Sequence, residues 1–425
     1  MSYKVTSDEF GTIASVSEHT PVEILFEDRW KLEPYTFGLS PYLESNSIKG
    51  SIEAFILNLL PEGTALDDLC ALSGISRHQP SCLLNYLSAD HTGGFQFGGS
   101  RLNPFPRKIS NRELSNRLKR MPNEPISIWE GRFYLSVAGV QPKLNMIKLG
   151  DSWGCGGNKP STHIIKLEEE NTQNLVCNEL FTMRLAKNIG IPVAEVDYEK
   201  IGEYPALIVK RFDRSPESSY YHAKRHIIDG CQALDCKPSM KYERNFGSGR
   251  DVKHIRDGVS FAKLFRLAKG CRDNHETHLL RWIAFNIIVG NYDSHGKNVS
   301  YFYDFRGLRL APFYDLVSLE AFGDKWEREF SMAFGDSFAS FPTTYDLADF
   351  ADRCGVSPSV VKHEFINVSS RSLQRIDEVL RSVGNTKGLS GTERLHITKC
   401  AQVAKSRATM LQSTVRDIES FSGLL

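Results

Sequence analysis

Apolar positions recur at helical spacing through the second half of the chain and as short continuous or alternating runs through the first. The N-terminal stretch, residues 1–100, is turn-rich with small strand-like runs, and it holds one helical segment, Ser51 to Leu60, which Pro61-Glu-Gly stops. Polar, Pro-containing text from 101 to 124 reads as a linker around a short helix. Strand-type runs follow at Gly131 to Val137, Lys143 to Leu149 and His163 to Leu167, then a helix over Leu175 to Ile189 capped by Gly190, and a further strand from Tyr204 to Val209. Beyond residue 225 the spacing predicts helices at Phe261–Leu267, His278–Val289, Ser357–Val368 and Ser370–Val383. The last helix opens on the capping box Ser390-Gly-Thr-Glu393, and its buried stripe is Ile397, Ala401, Ala404, Ala408, Leu411, Val415 and Ile418. The pattern is α+β: a small β-rich N-terminal part, a strand–helix–strand part and an α-rich C-terminal part.

At 425 residues the chain exceeds what one hydrophobic core usually serves, and 41% hydrophobic residues suffice for two or three packed units. A net charge of +1 argues against a protein whose affinity rests mainly on neutralising a polyanion. Nine cysteines with no CxxC pair fit reduced thiols better than a disulfide framework or a zinc cage. The longest apolar run, Trp282 to Gly290, is interrupted by Asn286 and too short to span a bilayer, and the N-terminus has no signal-peptide pattern. The expectation is a cytoplasmic protein with no membrane contact.

Chemistry concentrates in Gly290-Asn-Tyr-Asp293-Ser-His295-Gly-Lys297-Asn298, directly after an apolar helix. Phosphoryl transfer needs a carboxylate to take the proton of the attacking hydroxyl and an oxygen ligand to hold magnesium against the phosphates. Asp293 and Asn298 have the Asp-to-Asn separation of the protein-kinase catalytic loop, and Asp315, after Pro312-Phe-Tyr, supplies the second metal-binding acid. Lys166, late in a strand, and Glu179, on the next helix, fit the ATP-contacting lysine and its ion-pair partner. Each has a plainer alternative: a surface salt bridge for Lys166 and Glu179, a turn or cap for Asp315, a helix-capping polar loop for Asp293, His295 and Asn298. Their order along the chain favours the kinase.

Taken together, Ser136-Val-Ala-Gly-Val-Gln-Pro-Lys143, Thr162-His-Ile-Ile-Lys166, Asn178-Glu179, Arg211-Phe-Asp-Arg214, Asn291 to Asn298 and Pro312-Phe-Tyr-Asp315 resemble the successive motifs of the HipA kinase family. The Asp-x-His-x-x-Asn loop is also similar to that of phosphatidylinositol kinases. The resemblance implies a bilobed protein-kinase-like fold: an N-terminal subdomain over 1–105, a kinase N-lobe over 106–212 and an α-helical C-lobe over 213–425. It implies Asp293 as catalytic base, Asn298 and Asp315 as Mg²⁺ ligands, and Lys166, supported by Glu179, on the ATP phosphates. It places Lys210, Arg211 and Phe212 at the hinge beside adenine, His295, Gly296 and Lys297 in the ATP-contacting loop, and Tyr314 near the nucleotide. Val137, Ala138, Gly139, Val140, Gln141 and Lys143 would cover the phosphates, with Ser136 as an autophosphorylation site. Pro142 stands where many relatives carry Glu, and lacks the N–H that a backbone phosphate contact would use.

The same resemblance implies the toxin of a toxin–antitoxin pair, partnered by a HipB-like DNA-binding dimer and through it by operator DNA. Its acceptor would be a cytoplasmic protein such as an aminoacyl-tRNA synthetase. Two other readings stand beside it. One is a DNA-bound corepressor using Arg394, Lys399, Lys405, Arg407 and Arg416 of the last helix, whose simpler role is a solvated face. The other is a small-molecule or lipid phosphotransferase.

Overall fold

The computed structural model describes residues 1–32, 37–87, 90–98, 106–121, 124–129, 132–133, 141–150, 152–156, 160–214, 224–269 and 275–421. Ser136, Val137, Ala138, Gly139 and Val140, expected to cover the phosphates, lie outside them, as does most of the run from Gly131 to Val137. The chain divides into two compact units, one of residues 1–171, 197–228 and 302–307, the other of residues 172–196, 229–301 and 308–425.

The first unit is built on sheets. Strands Ser2–Ser7, Gly11–Ser17, Ile24–Phe26 and Phe95–Phe97 form an antiparallel sheet with Gly11–Ser17 and Ser2–Ser7 at its centre. Alternation along Ser2–Ser7 buries Tyr3 and Val5 and leaves Ser2 and Lys4 exposed, the period-two pattern of a half-buried strand. The predicted N-terminal helix is Ile52–Leu59, with Ser51 as N-cap accepting from the Ala54 N–H, and two further short helices, Thr64–Ser73 and Pro80–Tyr86, follow it. A second sheet of six strands runs in the order Val196–Ile201, Tyr204–Lys210, His163–Leu167, Lys143–Leu149, Ser152–Cys155 and Arg107–Ile109. One face buries Leu144, Met146, Trp153, Ile165, Ala206 and Ile208 against Leu114 and Leu118 of helix Asn111–Leu118. Pro142, which has no N–H to give a phosphate, offers its carbonyl to the Leu167 N–H at 2.9 Å, so the sheet ladder reaches it.

The second unit is helical: Leu175–Asn188, Phe261–Lys269, His275–Val289, Thr344–Cys354, Pro358–Gly384 and Gly391–Thr414. The predicted stripe of the last helix is buried throughout, Ile397, Ala404, Ala408, Leu411, Val415 and Ile418 all at 0% exposure. It packs against Pro358–Gly384, His275–Val289 and Leu175–Asn188. The break predicted near Ser369 does not exist. Ser369 is buried and its hydroxyl donates to the Phe365 carbonyl at 2.7 Å within one helix of 27 residues. The hydroxyl is thereby satisfied inside the helix, which continues through it.

Arg407 answers the question posed by the basic face of the last helix. Its guanidinium is buried and donates to the carbonyls of Ile287 and Ser340, both at 2.6 Å. It ties two segments of the helical unit together and presents nothing to a phosphate backbone. Lys405 pairs with Asp377, and the Arg394 guanidinium donates to the Gly384 carbonyl. Among the described residues no helix is long and apolar enough to cross a membrane. No disulfide joins the described cysteines.

Three histidines, two of them buried, make the fold acid-sensitive. Burial pushes His91 down to about 3 and His226 to about 4 in the sheet unit, and His396 to about 4 in the helical unit. An unfolded histidine takes its proton near 6.5, so below that pH the unfolded state binds more protons than the native state. The contribution is therefore complete above pH 6.5 and is lost as the pH falls towards 4, by at most about 1.4 kcal/mol per pH unit for each group. Urea midpoints should fall steadily from pH 6.5 to 4.5. A flat midpoint across that window would contradict the assignment.

Candidate active site

Helix His275–Val289 is apolar nearly all round, with eleven buried side chains, and it stops where Gly290 takes φ +64°. The Asn291 N–H reaches back to the Asn286 carbonyl, and the two side-chain amides bond at 2.8 Å. The loop thus leaves the helix along a fixed path. Asn298 donates from Nδ2 to the Asp293 carbonyl at 2.9 Å, and the His295 N–H donates to the same oxygen. Asn291, Ser294, His295, Lys297 and Asn298 are buried, whereas Asp293 is exposed, the one such residue from 291 to 300. A loop whose backbone is this heavily bonded needs nothing from the Asp293 carboxylate. A core residue would be inside.

The turn Gly296–Asn298 is seated on a second segment of the same unit. Asp229 caps the short helix Gly230–Ala233 with a full capping box to Gln232, and its other oxygen receives the Lys297 ammonium at 2.6 Å, with both side chains largely buried. The Gly296 N–H donates to the Lys241 carbonyl and the Gly230 N–H to the Val299 carbonyl. A Cβ on Gly296 would come within 2.7 Å of the Val259 side chain, so only glycine allows this approach. Lys297, expected among the ATP contacts, has its charge engaged by Asp229.

Tyr314 sits between the loop and the Asp315 segment. Its hydroxyl donates to the Lys297 carbonyl at 2.6 Å and lies 2.7 Å from the Ser300 hydroxyl. Burial pushes its phenol well above the usual range, so it remains a donor. Asp315 takes φ +59°, a left-handed conformation that a non-glycine residue adopts at a cost of order 1–3 kcal/mol and that clusters at functional sites. The chain just beyond it is pinned to helix Leu175–Asn188. Asn178, fully buried, donates to the Ser318 carbonyl at 2.9 Å and accepts from the Ser318 N–H at 2.7 Å, and Thr182 donates to the Leu316 carbonyl. Glu179, buried one position further along, shares that helix. Asp293, His295, Asn298, Tyr314, Asp315 and Glu179 therefore belong to one unit whose internal bonds fix their backbones.

Lys143, Lys166, Lys210, Arg211 and Phe212 belong to the sheet unit. Lys143 and Lys166 face each other in the antiparallel register and are both buried. Gln141 donates to the Leu167 carbonyl at 2.8 Å. Lys210 is exposed at a strand end, and Phe212 meets Phe302 edge-on with centroids 6.1 Å apart. Arg211 forms a bidentate pair with Asp213 and donates to the Ser161 hydroxyl, so its side chain is committed to the fold.

Two residues around the candidate loop escaped the sequence pattern. Asp229 precedes Lys297 by 68 positions, and its only local signal is the Asp-x-x-Gln cap. Tyr242 donates to Asp293 Oδ1 at 2.8 Å, and nothing in its own segment announces that contact.

Comparison with known proteins bears on the whole chain. The profile of the HipA-like C-terminal domain matches residues 135–385. The serine/threonine-protein kinase toxin HipA of Shewanella oneidensis is 40% identical over 354 residues, covering 81% of each chain. A putative kinase of Sinorhizobium fredii, Y4mE, is 26% identical over 384 residues, 86% of this chain and 89% of that one. Among solved structures, the Shewanella oneidensis MR-1 complex of HipA, HipB and operator DNA contains a chain that matches with a TM-score of 0.87 and 34% identity, covering 98% of this chain and 99% of that one.

Proposed function

The chain belongs to the HipA kinase family, and from that premise we propose that it transfers the γ-phosphate of ATP to a serine or threonine hydroxyl of a protein, as the toxin of a toxin–antitoxin pair. The observation that carries the proposal is Asp293, an exposed carboxylate on a buried loop whose backbone is held without it. Such a group is placed to accept the proton of an incoming hydroxyl. Asn298 and Asp315 are the proposed ligands of magnesium. Asn298 fits, because its Nδ2 is committed to the Asp293 carbonyl and its side-chain oxygen is the atom a hard cation takes. No group of three His, Cys, Asp or Glu among the described residues forms a protein-only metal cage, which suits an ion held by one or two protein oxygens and the phosphates. Magnesium, when bound, neutralises charge on the phosphates.

Lys166, with Lys143 opposite, would meet the phosphates, and Glu179 would support Lys166. Gln141 and residues 137–140 would cover the phosphates, and Lys210, Arg211 and Phe212 would border adenine, Arg211 by its backbone since its side chain is engaged. Gly296 would bring the backbone of the catalytic turn close to the nucleotide, and Ser136 would be the autophosphorylated serine. The bilobed kinase-like organisation is part of the same proposal. The relative solved with HipB and operator DNA supports a HipB-like antitoxin as partner, and operator DNA through it. The acceptor would be a cytoplasmic protein of translation, an aminoacyl-tRNA synthetase being the first to try.

Purified protein, free of any antitoxin, is expected to move label from γ-labelled ATP to a protein in bacterial lysate. Chelation with EDTA should reduce transfer by more than about a hundredfold, the scale on which charge stabilisation at transferring phosphates acts, and added magnesium should restore it. Label that reaches only lipid or small molecules, or that is indifferent to EDTA, would reject the proposal.

A further inference from the structure

Tyr242 places its hydroxyl on the carboxylate expected to do the chemistry. Its Oη donates to Asp293 Oδ1 at 2.8 Å, and its ring meets His295 edge-on with centroids 5.2 Å apart. The segment carrying it is held on both sides. The Val259 N–H donates to the Met240 carbonyl, the Gly296 N–H to the Lys241 carbonyl, the Gly258 N–H to the Glu243 carbonyl and the Glu243 N–H to the Ser331 carbonyl. A Cβ at Gly258 would lie 1.8 Å from the Tyr242 carbonyl oxygen, so the close return of the chain here demands glycine. The buried Glu243 carboxylate accepts from the Ala333 N–H and from Arg256. The tyrosine is thus delivered to Asp293 from a rigid base, with its side chain still 37% exposed.

The loop is closed by bonds to the Asp293 carbonyl oxygen, not to its carboxylate. A donor on one oxygen of a carboxylate fixes that carboxylate's rotation and leaves the other oxygen to accept. Resting on the kinase proposal above, we infer that Tyr242 is a positioning residue for phosphoryl transfer, holding Asp293 so that Oδ2 meets the acceptor hydroxyl. In the step served, the acceptor oxygen bonds the γ-phosphorus while its proton passes to Oδ2. The bond from that phosphorus to the bridging oxygen breaks and ADP leaves with the electron pair, and Asp293 returns the proton to water.

The test is Tyr242→Phe, which removes the oxygen and keeps the ring. Loss of a hydrogen bond to a charged group predicts a kcat about tenfold lower, with KM for ATP within about twofold and an unchanged melting temperature. In single-turnover measurements the losses from Tyr242→Phe and Asp293→Asn should not add, because the hydroxyl acts only through the carboxylate. A Tyr242→Phe enzyme within twofold of wild type, or faster than it, overturns the inference, the latter by showing that the hydroxyl blocks the acceptor's place. Fully additive losses overturn it as well. If Asp293→Asn itself retains transfer, the kinase assignment of Asp293 fails first; an inactive Asp293→Asn beside a normal Tyr242→Phe condemns the tyrosine's role alone.

Discussion

Asp293→Asn is expected to lower the rate of protein phosphorylation by roughly 10²–10⁴-fold, the range attributed to a positioned general base, while ATP affinity stays within about twofold. Asparagine keeps the shape of the side chain and retains an oxygen for the Tyr242 hydroxyl, but it cannot take a proton. The backbone contacts that hold the loop, from Asn298 and the His295 N–H, go to the Asp293 carbonyl and are untouched by the change. Because the side chain is exposed, no buried charge is stranded and the variant should melt with wild type. Single-turnover transfer of labelled phosphate measures the loss, and nucleotide titration separates it from binding. A variant within tenfold of wild-type transfer would remove Asp293 from the chemistry.

What the sequence disclosed of this site was its local part. Gly290 to Asn298 follows a largely apolar helix, and its polar residues are spaced as a kinase loop requires, so the loop could be located from the text alone. The long helices were legible for the same reason, since a stripe from Ile397 to Ile418 can be buried only on one face. Contacts distant along the chain left no local mark. Asp229 and Tyr242 approach the loop from 68 and 51 positions upstream, and a helix cap or a lone tyrosine occurs in many other settings.

Residues 172–196 show the limit at the level of units. In chain order they fall between strands of the six-stranded sheet, yet they cluster with the helical unit because Val176, Leu180, Met183 and their neighbours bury against its long helices. Arg407 shows it for one side chain. Its position opposite an alanine stripe suggests solvent, but two backbone carbonyls within reach make a buried guanidinium affordable. Helix Thr344–Cys354 leaves a weaker mark in the text, because its reciprocal cap of Thr343 and Asp346 has aspartate in place of the usual Glu or Gln.

The second large effect belongs to stability and lies far from the loop in sequence. Asp213→Ala is expected to destabilise the protein by about 3–5 kcal/mol, the cost of removing one partner from a buried ion pair. The Asp213 carboxylate is bidentate to Arg211, at 3.0 and 2.8 Å, and accepts from Arg214 at 2.8 Å. Arg214 continues to Asp90 at 3.0 Å and to the Ser161 carbonyl. Burial alone would push the Asp213 carboxyl up, but the two guanidiniums outweigh it and hold it well below the usual carboxylate range. Alanine would strand both buried cations, with Asp90 left as a shared counter-charge. Against a total stability of about 5–15 kcal/mol for a typical domain, that loss should be plain as a reduced urea midpoint. The exposed pair Arg375–Glu378 is the control, where Glu378→Ala should change stability by no more than about 1 kcal/mol. Equal effects at the two sites would show that burial of the Arg211–Asp213–Arg214 cluster contributes nothing special. A large loss at Asp213 alone would identify the Arg-Phe-Asp-Arg segment as a structural clasp of the sheet unit.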